Sequence, residues 1–283
     1  MYSLFLMQMI LTRRKSKRLK NMPIIKTPAV VLKSDNYRES SKVVTLYTQT
    51  HGKLRTIAKG VRNTKTRWGG VLQSMAYIEA MLYFKENRTL HLLSGAEYIN
   101  SFRRIHDNDR KIELGFRIIE LLNKATMENQ ENKTLFNLIT QALQHLDNAT
   151  KNYVNVLFIY EFKLAKNLGF EVDKNAMKVL DKGNINKSID SKFHNLYNYK
   201  HERDDGRGFD SPGVMDKPAS NMPERSLFDI LINGNFEEIT RFNILNPSVK
   251  ALDNFFEKYF EEHFDSINFS KTKRVFNTKE TDL

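Results

Sequence analysis

Hydrophobic residues in the first third of the chain recur in short runs with the two-residue period of β-strands. Polar turns separate five such runs, which cover residues 27–34, 42–48, 53–58, 76–84 and 89–98. The first two runs are rich in β-branched residues, and the third alternates basic with apolar side chains, as a strand with one wet and one buried face does. Five short strands at this spacing predict a small barrel. The OB-fold is the common five-stranded form, and an SH3-like barrel is the alternative.

From Asp107 onward the hydrophobic period becomes helical. Asp107 is a candidate N-terminal cap for a helix whose apolar stripe consists of Ile112, Phe116, Ile119 and Leu122. A second apolar stripe consists of Leu135, Leu138, Ile139, Ala142, Leu143 and Leu146. Both stripes have the spacing of amphipathic helices, so we expect each helix to pack on a core.

The next helical segment, residues 153–168, is apolar on nearly all sides and precedes Gly169, as expected for a central buried helix that ends at a glycine. Helical signals return over residues 223–232 before Gly234, and again where Asn246 caps a helix with Pro247 at its first position. The inner stripe of that last helix is predicted as Val249, Leu252, Phe256, Tyr259 and Phe260.

These patterns predict an α+β protein of two domains. An OB-fold barrel over residues 22–103 precedes an all-helical domain over 104–267, in which residues 173–222 form an irregular polar insert. Residues 268–283 are predicted as a loosely held tail. Residues 1–21 form a basic leader, and Met22 is the expected true start because the periodic pattern begins just after it.

The net charge of +12 is concentrated before residue 101. The leader carries six bases and no acid, and residues 22–100 carry twelve bases and five acids, or +7, so residues 101–283 are left with −1. The chain has no cysteine, which excludes disulfides, thiolate catalysis and cysteine zinc ribbons. It also lacks an apolar run of the ~18 residues needed to cross a bilayer.

One stretch of the predicted barrel combines bases with the single tryptophan. Residues 40–78 contain seven bases and no Asp or Glu. Such a surface binds a polyanion by releasing its counterions, and an aromatic ring beside it stacks on an unpaired base. The candidate nucleic-acid-binding residues are Lys42, Lys53, Arg55, Lys59, Arg62, Lys65, Arg67 and Trp68. Those from Lys53 to Arg67 are expected to form one positive track.

No catalytic motif accompanies this stretch. The chain has no phosphate-binding loop, no dinucleotide fingerprint, no metalloprotease motif and no nucleophile elbow, so we expect neither enzymatic activity nor a cofactor. The nearest approach to a metal site is a group in the insert, interpreted as a solvated charge run: His194, His201, Glu202, Asp204, Asp205 and Asp210. No metal is expected.

The barrel region contains a series of short motifs: Thr-Pro-Ala-Val-Val-Leu at 27–32, Tyr-Arg-Glu-Ser-Ser-Lys at 37–42, Thr48 with His-Gly-Lys at 51–53, and Ala-Lys-Gly-Val-Arg at 58–62 followed by Lys65, Arg67, Leu72 and Gln73. In order and spacing these motifs resemble the RecO family of bacterial recombination mediators. The resemblance is specific over about residues 25–75 and diffuse over the helices. It implies an OB-fold joined to a helical domain.

The resemblance also implies a function in DNA repair and homologous recombination. That function consists of binding single- and double-stranded DNA, annealing complementary strands, and loading the recombinase with the partners RecR and the acidic C-terminal tail of the single-stranded DNA-binding protein. It implies a bacterial cytoplasmic, nucleoid-associated location without a membrane partner. Many family members bind zinc through four cysteines, and here the insert occupies that place.

Two other function classes remain open at this point. OB barrels with basic loops also serve RNA and ribosomes, and nothing in the sequence reads a 2′-hydroxyl. A nuclease that holds a divalent ion through the carboxylates of the insert ranks third, because those acids lie outside the basic domain.

Overall fold

The computed structural model describes residues 23–63, 66, 68–85, 88–170, 172, 231–240, 243–244 and 246–264. The predicted leader, the whole predicted insert and the predicted tail lie outside these residues. The chain divides into two compact units, residues 1–143 and 144–283. Each unit is described by itself.

Five strands of the first unit close into a barrel, which confirms the predicted OB-fold. They are β1 (Ile24–Tyr37), β2 (Ser41–Thr48), β3 (Gly52–Ala58), β4 (Tyr77–Tyr83) and β5 (His91–Asn100). Their order around the barrel is β1-β2-β3-β5-β4, and β4 pairs back on β1. Only β3 and β5 run parallel among these described pairs. Each strand overlaps one of the five predicted runs.

The alternation predicted for β3 is observed. Leu54, Thr56 and Ala58 are buried inside the barrel, and Lys53, Ile57 and the exposed Arg55 point outward. The apolar interior is completed by side chains from all the other strands and from the segment between β3 and β4, among them Leu46, Leu72 and Leu93.

The turn between β2 and β3 packs closely on residues 128–130. Gly52 has a positive φ of 62°, and a Cβ added there would lie 1.8 Å from the Gln130 carbonyl oxygen. Beside it, the backbone of Lys53 forms a parallel bridge with Glu128, and the Asn129 N–H donates to the Lys53 carbonyl at 2.9 Å. A glycine is therefore required at this turn for two separate reasons.

Three helices follow the barrel: α1 (Arg103–His106), α2 (Asp109–Ala125) and α3 (Lys133–Asn148). The cap predicted at Asp107 is wrong: the Asn108 side chain accepts the Lys111 N–H at 3.0 Å and caps α2. The apolar stripe predicted for α3 is confirmed, since all six of its residues are buried.

The stripe predicted for α2 is only partly correct. Ile119 and Leu122 are buried, but Phe116 is 36% exposed. The buried side of the helix instead includes Gly115, where an added Cβ would lie 2.6 Å from the Met75 sulfur. The close approach at this glycine turns its neighbour Phe116 toward solvent.

The second unit is built around the predicted central helix, α4 (Val154–Asn167). Gly169 has a φ of 84°, and the Phe170 N–H returns to the Ala165 carbonyl at 2.9 Å, which confirms a glycine stop. The last two helices are α5 (Phe236–Ile239) and α6 (Asn246–His263). Phe256 of α6 packs edge-on against Phe162 of α4, with ring centroids 4.7 Å apart.

Hydrogen bonds and buried apolar side chains hold the described helices of the second unit together. The buried Asn155 amide donates to the Ile239 carbonyl at 2.9 Å, and the Tyr259 hydroxyl donates to the Phe170 carbonyl at 2.8 Å. Of the predicted α6 stripe, Leu252, Phe256 and Phe260 are fully buried. Among the helices in the described ranges, none is long and apolar enough to cross a membrane.

The hydroxyl groups of two barrel tyrosines lie in different environments, so we expect their removal to have opposite effects on the free energy of unfolding. Burial raises the pKa of Tyr47 to about 12, and its hydroxyl has no hydrogen-bond partner among the described residues. The Tyr98 hydroxyl donates to the Gly70 carbonyl at 2.8 Å. We expect Tyr47→Phe to leave the free energy of unfolding unchanged or raise it by up to about 1 kcal/mol, and Tyr98→Phe to lower it by about 0.5 kcal/mol. Urea unfolding of the two variants checks this, and a Tyr47→Phe variant clearly less stable than the parent would contradict it.

Candidate nucleic-acid interface

The strand register places the predicted nucleic-acid-binding residues of β2 and β3 on two different faces of the sheet. Lys42 of β2 lies opposite Ala58 of β3, and Arg55 lies opposite Thr45. Directly opposed residues share a face of the sheet, and Ala58 is buried inside the barrel. Lys42 therefore belongs to the inward row, at the barrel end, whereas Lys53 and Arg55 belong to the outward face.

Lys53 is engaged within the protein. Its Nζ donates to the Asn123 carbonyl at 2.5 Å and to the Thr126 carbonyl, which lie at the C-terminal end of α2. A lysine there satisfies terminal carbonyls and the negative end of the helix dipole. Burial lowers the pKa of Lys53, and the charge of Glu128 opposes that shift. We therefore omit Lys53 from the candidate interface, and its contact with DNA stays a prediction from the sequence.

Arg55 remains accessible on the outer face of β3. Its side chain is 55% exposed, and its Nε lies 4.0 Å from the Glu128 carboxylate. An exposed pair at that distance contributes little. The guanidinium is therefore available to an anion in solution.

Three cations converge at the turn between β1 and β2. We call Arg38, Lys59 and Arg62, together with the ring of Tyr37, the turn cluster. The Arg62 side chain donates from Nη1 to the Arg38 carbonyl at 2.9 Å, and the Arg62 backbone N–H donates to the Ser40 carbonyl at 2.9 Å. These two bonds hold the segment after β3 against the β1–β2 turn, so the three exposed side chains share one end of the barrel.

An aromatic ring and an open groove lie at the same place. The Arg38 Cζ is 5.2 Å from the centre of the Tyr37 ring, and Tyr37 is 40% exposed. The groove has a volume of about 810 Å³. Its lining includes Tyr37, Arg38, Ile57 and Lys59, with Glu39 as an acid. The turn cluster therefore offers a positive edge beside an exposed π-face, the combination that binds single-stranded nucleic acid.

The remaining predicted residues lie elsewhere or outside the described residues. Trp68 is half-buried and packs against the barrel core, so it stabilises the barrel. Lys65 and Arg67 fall outside the described residues. Lys42 lines a different cleft, beside Gln73 and Phe116.

Sequence reasoning missed Arg38 and Tyr37 as site residues. The candidate residues were defined by a stretch without acids, and that stretch begins after Glu39. The available signal was the Tyr-Arg-Glu-Ser-Ser-Lys motif at 37–42, which contains both residues but was used only for the family resemblance.

Comparison with known proteins identifies the family. The model named Recombination protein O N terminal matches residues 22–102, and Recombination protein O C terminal matches residues 111–177. A DNA repair protein RecO of Salinibacter ruber is 30% identical over 269 residues, which is 92% of this chain and 97% of that protein. The chain belongs to the RecO family. Its role is in DNA repair.

Two further RecO proteins show how the similarity is distributed. The DNA repair protein RecO of Chlorobium phaeobacteroides is 34% identical over 148 residues, or 52% of this chain and 57% of that protein. That of Chloroherpeton thalassium is 23% identical over 260 residues, or 90% of this chain and 98% of that protein.

The RecO family models and the compact units divide the chain differently. The two family models meet between residues 102 and 111, where strands give way to helices. The first compact unit continues to residue 143. It does so because α2 packs on the barrel at Gly115 and receives the Lys53 ammonium.

Proposed function

We propose that this RecO protein is a recombination mediator that binds single- and double-stranded DNA and anneals complementary strands. The turn cluster carries the proposal, because Arg38, Lys59 and Arg62 are exposed at one end of an OB barrel. OB-folds bind oligonucleotides on the face of strands 2 and 3 and on the loop between strands 1 and 2. Arg38 lies in that loop, and Arg55 lies on that face.

Electrostatics accounts for annealing without a chemical step. Two DNA strands repel each other through their phosphates, and a cationic surface that neutralises both lowers the barrier to pairing. The released counterions drive binding, so no nucleotide needs to be hydrolysed. We therefore propose a binding factor and not an enzyme. The family resemblance supports a location in the bacterial cytoplasm, at the nucleoid.

The exposed Tyr37 ring supports a preference of the protein for single-stranded over double-stranded DNA. Its exposed ring has the Arg38 guanidinium at one side, and a base stacks on such a ring whatever its sequence. Duplex DNA offers phosphates to the turn cluster but no splayed base. Single strands thus use both parts of the turn cluster, and duplexes use the cations alone.

The family resemblance extends the proposal to partners. We infer that the protein acts with RecR and with the acidic tail of the single-stranded DNA-binding protein to load the recombinase. Two lysines of the second unit support the acidic partner. Lys163 and Lys166 flank a cavity of about 20 Å³, room for one water molecule, whose apolar lining is Phe162, Val172 and Ile232. Burial is the larger cause that lowers the pKa of Lys163, and repulsion by the Lys166 ammonium is the second. A bound carboxylate would offset the repulsion between the two ammonium groups.

Charge reversal of the turn cluster tests the DNA-binding proposal. The variant carries Arg38→Glu, Lys59→Glu and Arg62→Glu. The matched control carries Lys26→Glu, Arg110→Glu and Lys133→Glu, which remove three exposed cations that each already face a carboxylate. Binding of a labelled thymidine oligonucleotide is measured by fluorescence anisotropy across a salt series. We expect the turn-cluster variant to lose at least about tenfold in affinity and about two units of salt slope.

Stability and competition measurements complete the test. Both variants are expected to fold and to unfold within about 1 kcal/mol of the parent, since all six residues are on the surface and the Arg62 side-chain bond to the Arg38 carbonyl is exposed. A turn-cluster variant that binds and anneals as well as the control would overturn the proposal. Stronger competition by an RNA oligonucleotide of the same sequence than by DNA would move the function to RNA binding.

A further inference from the structure

A second cleft lies at the end of the barrel beside α2. It has a volume of about 290 Å³ and a floor that includes the fully buried Leu72. Its walls are formed by Ser34, Lys42, Gln73, Ser74, His106 and Phe116. Among the described residues, it shares no lining residue with the groove of the turn cluster. We call it the end cleft.

The strand register explains why Lys42 reaches the end cleft. Lys42, Val44 and Leu46 occupy alternate positions of β2, and the last two are buried inside the barrel. Lys42 is thus the terminal member of the inward row, and its ammonium emerges at the mouth of the barrel. Within the described part of the chain it forms no ion pair or hydrogen bond.

Close packing of α2 explains why an aromatic ring stands at the same mouth. Gly115 allows the helix to contact Met75, and Phe116 follows it. The segment that carries Met75 is fixed to β1, because the Met75 N–H donates to the Val31 carbonyl at 2.8 Å and the Val31 N–H donates to the Ala76 carbonyl at 2.9 Å. The ring and the amine are therefore positioned by rigid elements.

The lining combines a cation, an unsatisfied hydroxyl and an exposed ring. The Ser34 hydroxyl oxygen is buried and has no hydrogen-bond partner among the described residues. Gln73, Ser74 and His106 add polar groups, and the described residues that line the cleft include no acid. The volume is at the lower end of the roughly 300–1,000 Å³ typical of small-ligand sites. A ligand that uses all of these groups carries a negative charge, hydrogen-bond acceptors and a flat ring in one compact unit.

We propose that the end cleft binds one unpaired nucleotide of a DNA single strand. The base stacks on Phe116, and its phosphate accepts from the Lys42 ammonium. The proposal rests on the proposed function, since it adds a second contact for nucleic acid on the same unit. It goes beyond that function because it assigns a site that excludes paired bases.

Photocrosslinking tests the contact with the base directly. A thymidine oligonucleotide that contains 5-iodouracil is irradiated with the full chain, and the attached peptide is identified by mass spectrometry. We expect attachment at Phe116 with the single strand and none with the same oligonucleotide in a duplex. Phe116→Leu should abolish that attachment and lower affinity for the single strand about tenfold, whereas Phe116→Tyr should retain both. Lys42→Gln should lower affinity about threefold.

The outcomes separate this proposal from the proposed function. If charge reversal of the turn cluster weakens binding while Phe116→Leu and Lys42→Gln leave it within about twofold and no crosslink forms at Phe116, the end cleft is not a nucleotide site and the proposed function stands. If charge reversal has no effect, the proposed function fails by itself. If free thymidine monophosphate prevents formation of the crosslink and unlabelled oligonucleotide does not, the cleft binds a mononucleotide and the strand-binding form of the proposal is overturned.

Discussion

Gly52→Ala is expected to lower the free energy of unfolding of the first unit by roughly 4 kcal/mol or more, whereas Gly60→Ala should lower it by only about 1–2 kcal/mol. Both glycines have a positive φ, 62° and 67°. They differ in what a methyl group would meet. At Gly52 it would lie 1.8 Å from the Gln130 carbonyl oxygen, whereas at Gly60 the nearest atom is the Asn63 side-chain nitrogen at 3.7 Å.

The two variants together separate the energetic cost of the collision with the Gln130 carbonyl from the cost of placing alanine at a positive φ. A carbonyl oxygen of the main chain cannot rotate away as a side chain does, so relief requires residues 128–130 to leave the turn. Equilibrium urea unfolding of the two alanine variants measures the difference. Equal losses of stability would show that the contact between Gly52 and Gln130 is not maintained in solution.

Lys53→Met is the second substitution with a large expected effect, a loss of about 2–3 kcal/mol in the free energy of unfolding. It removes the charged donor from the Asn123 and Thr126 carbonyls at the end of α2. Arg55 lies two residues further along β3, on the same face. Arg55→Met removes only the exposed pair with Glu128 at 4.0 Å and should change the free energy of unfolding by less than about 0.5 kcal/mol.

DNA binding by the same two variants separates structural from binding roles. Compared at a temperature where both are fully folded, Lys53→Met should bind single strands like the parent, and Arg55→Met should bind more weakly. Anisotropy titration provides the affinity and chemical unfolding provides the stability. The reverse pattern, with a stable Lys53→Met that binds poorly, would return Lys53 to the interface.

The barrel was predictable because its strands carry local signals. The two-residue period and the β-branched runs define all five strands, and α3 was predictable because its six apolar positions fall on one stripe. The stripe of α2 was not, since Gly115 marks the closest contact and a glycine has no hydrophobic side chain to reveal it.

The chemistry of the site was predictable, but its geometry was not. The positive charge and the absence of acids over residues 40–78 both point to the barrel, where the candidate interface lies. Which cations are available depends on contacts distant in sequence: Lys53 is occupied by a carbonyl 70 positions later, and Lys42 is turned inward by its pairing with Ala58. No local pattern contains that information.

The strand order has a consequence for synthesis on the ribosome. β1 pairs with β4, and β3 pairs with β5, so the ring cannot close until residues near 100 have left the exit tunnel. The acceptors of the Lys53 ammonium at 123 and 126 emerge later still. Until then the nascent meander of β1, β2 and β3 has two open edges, which are the surfaces most prone to pair with a neighbouring chain.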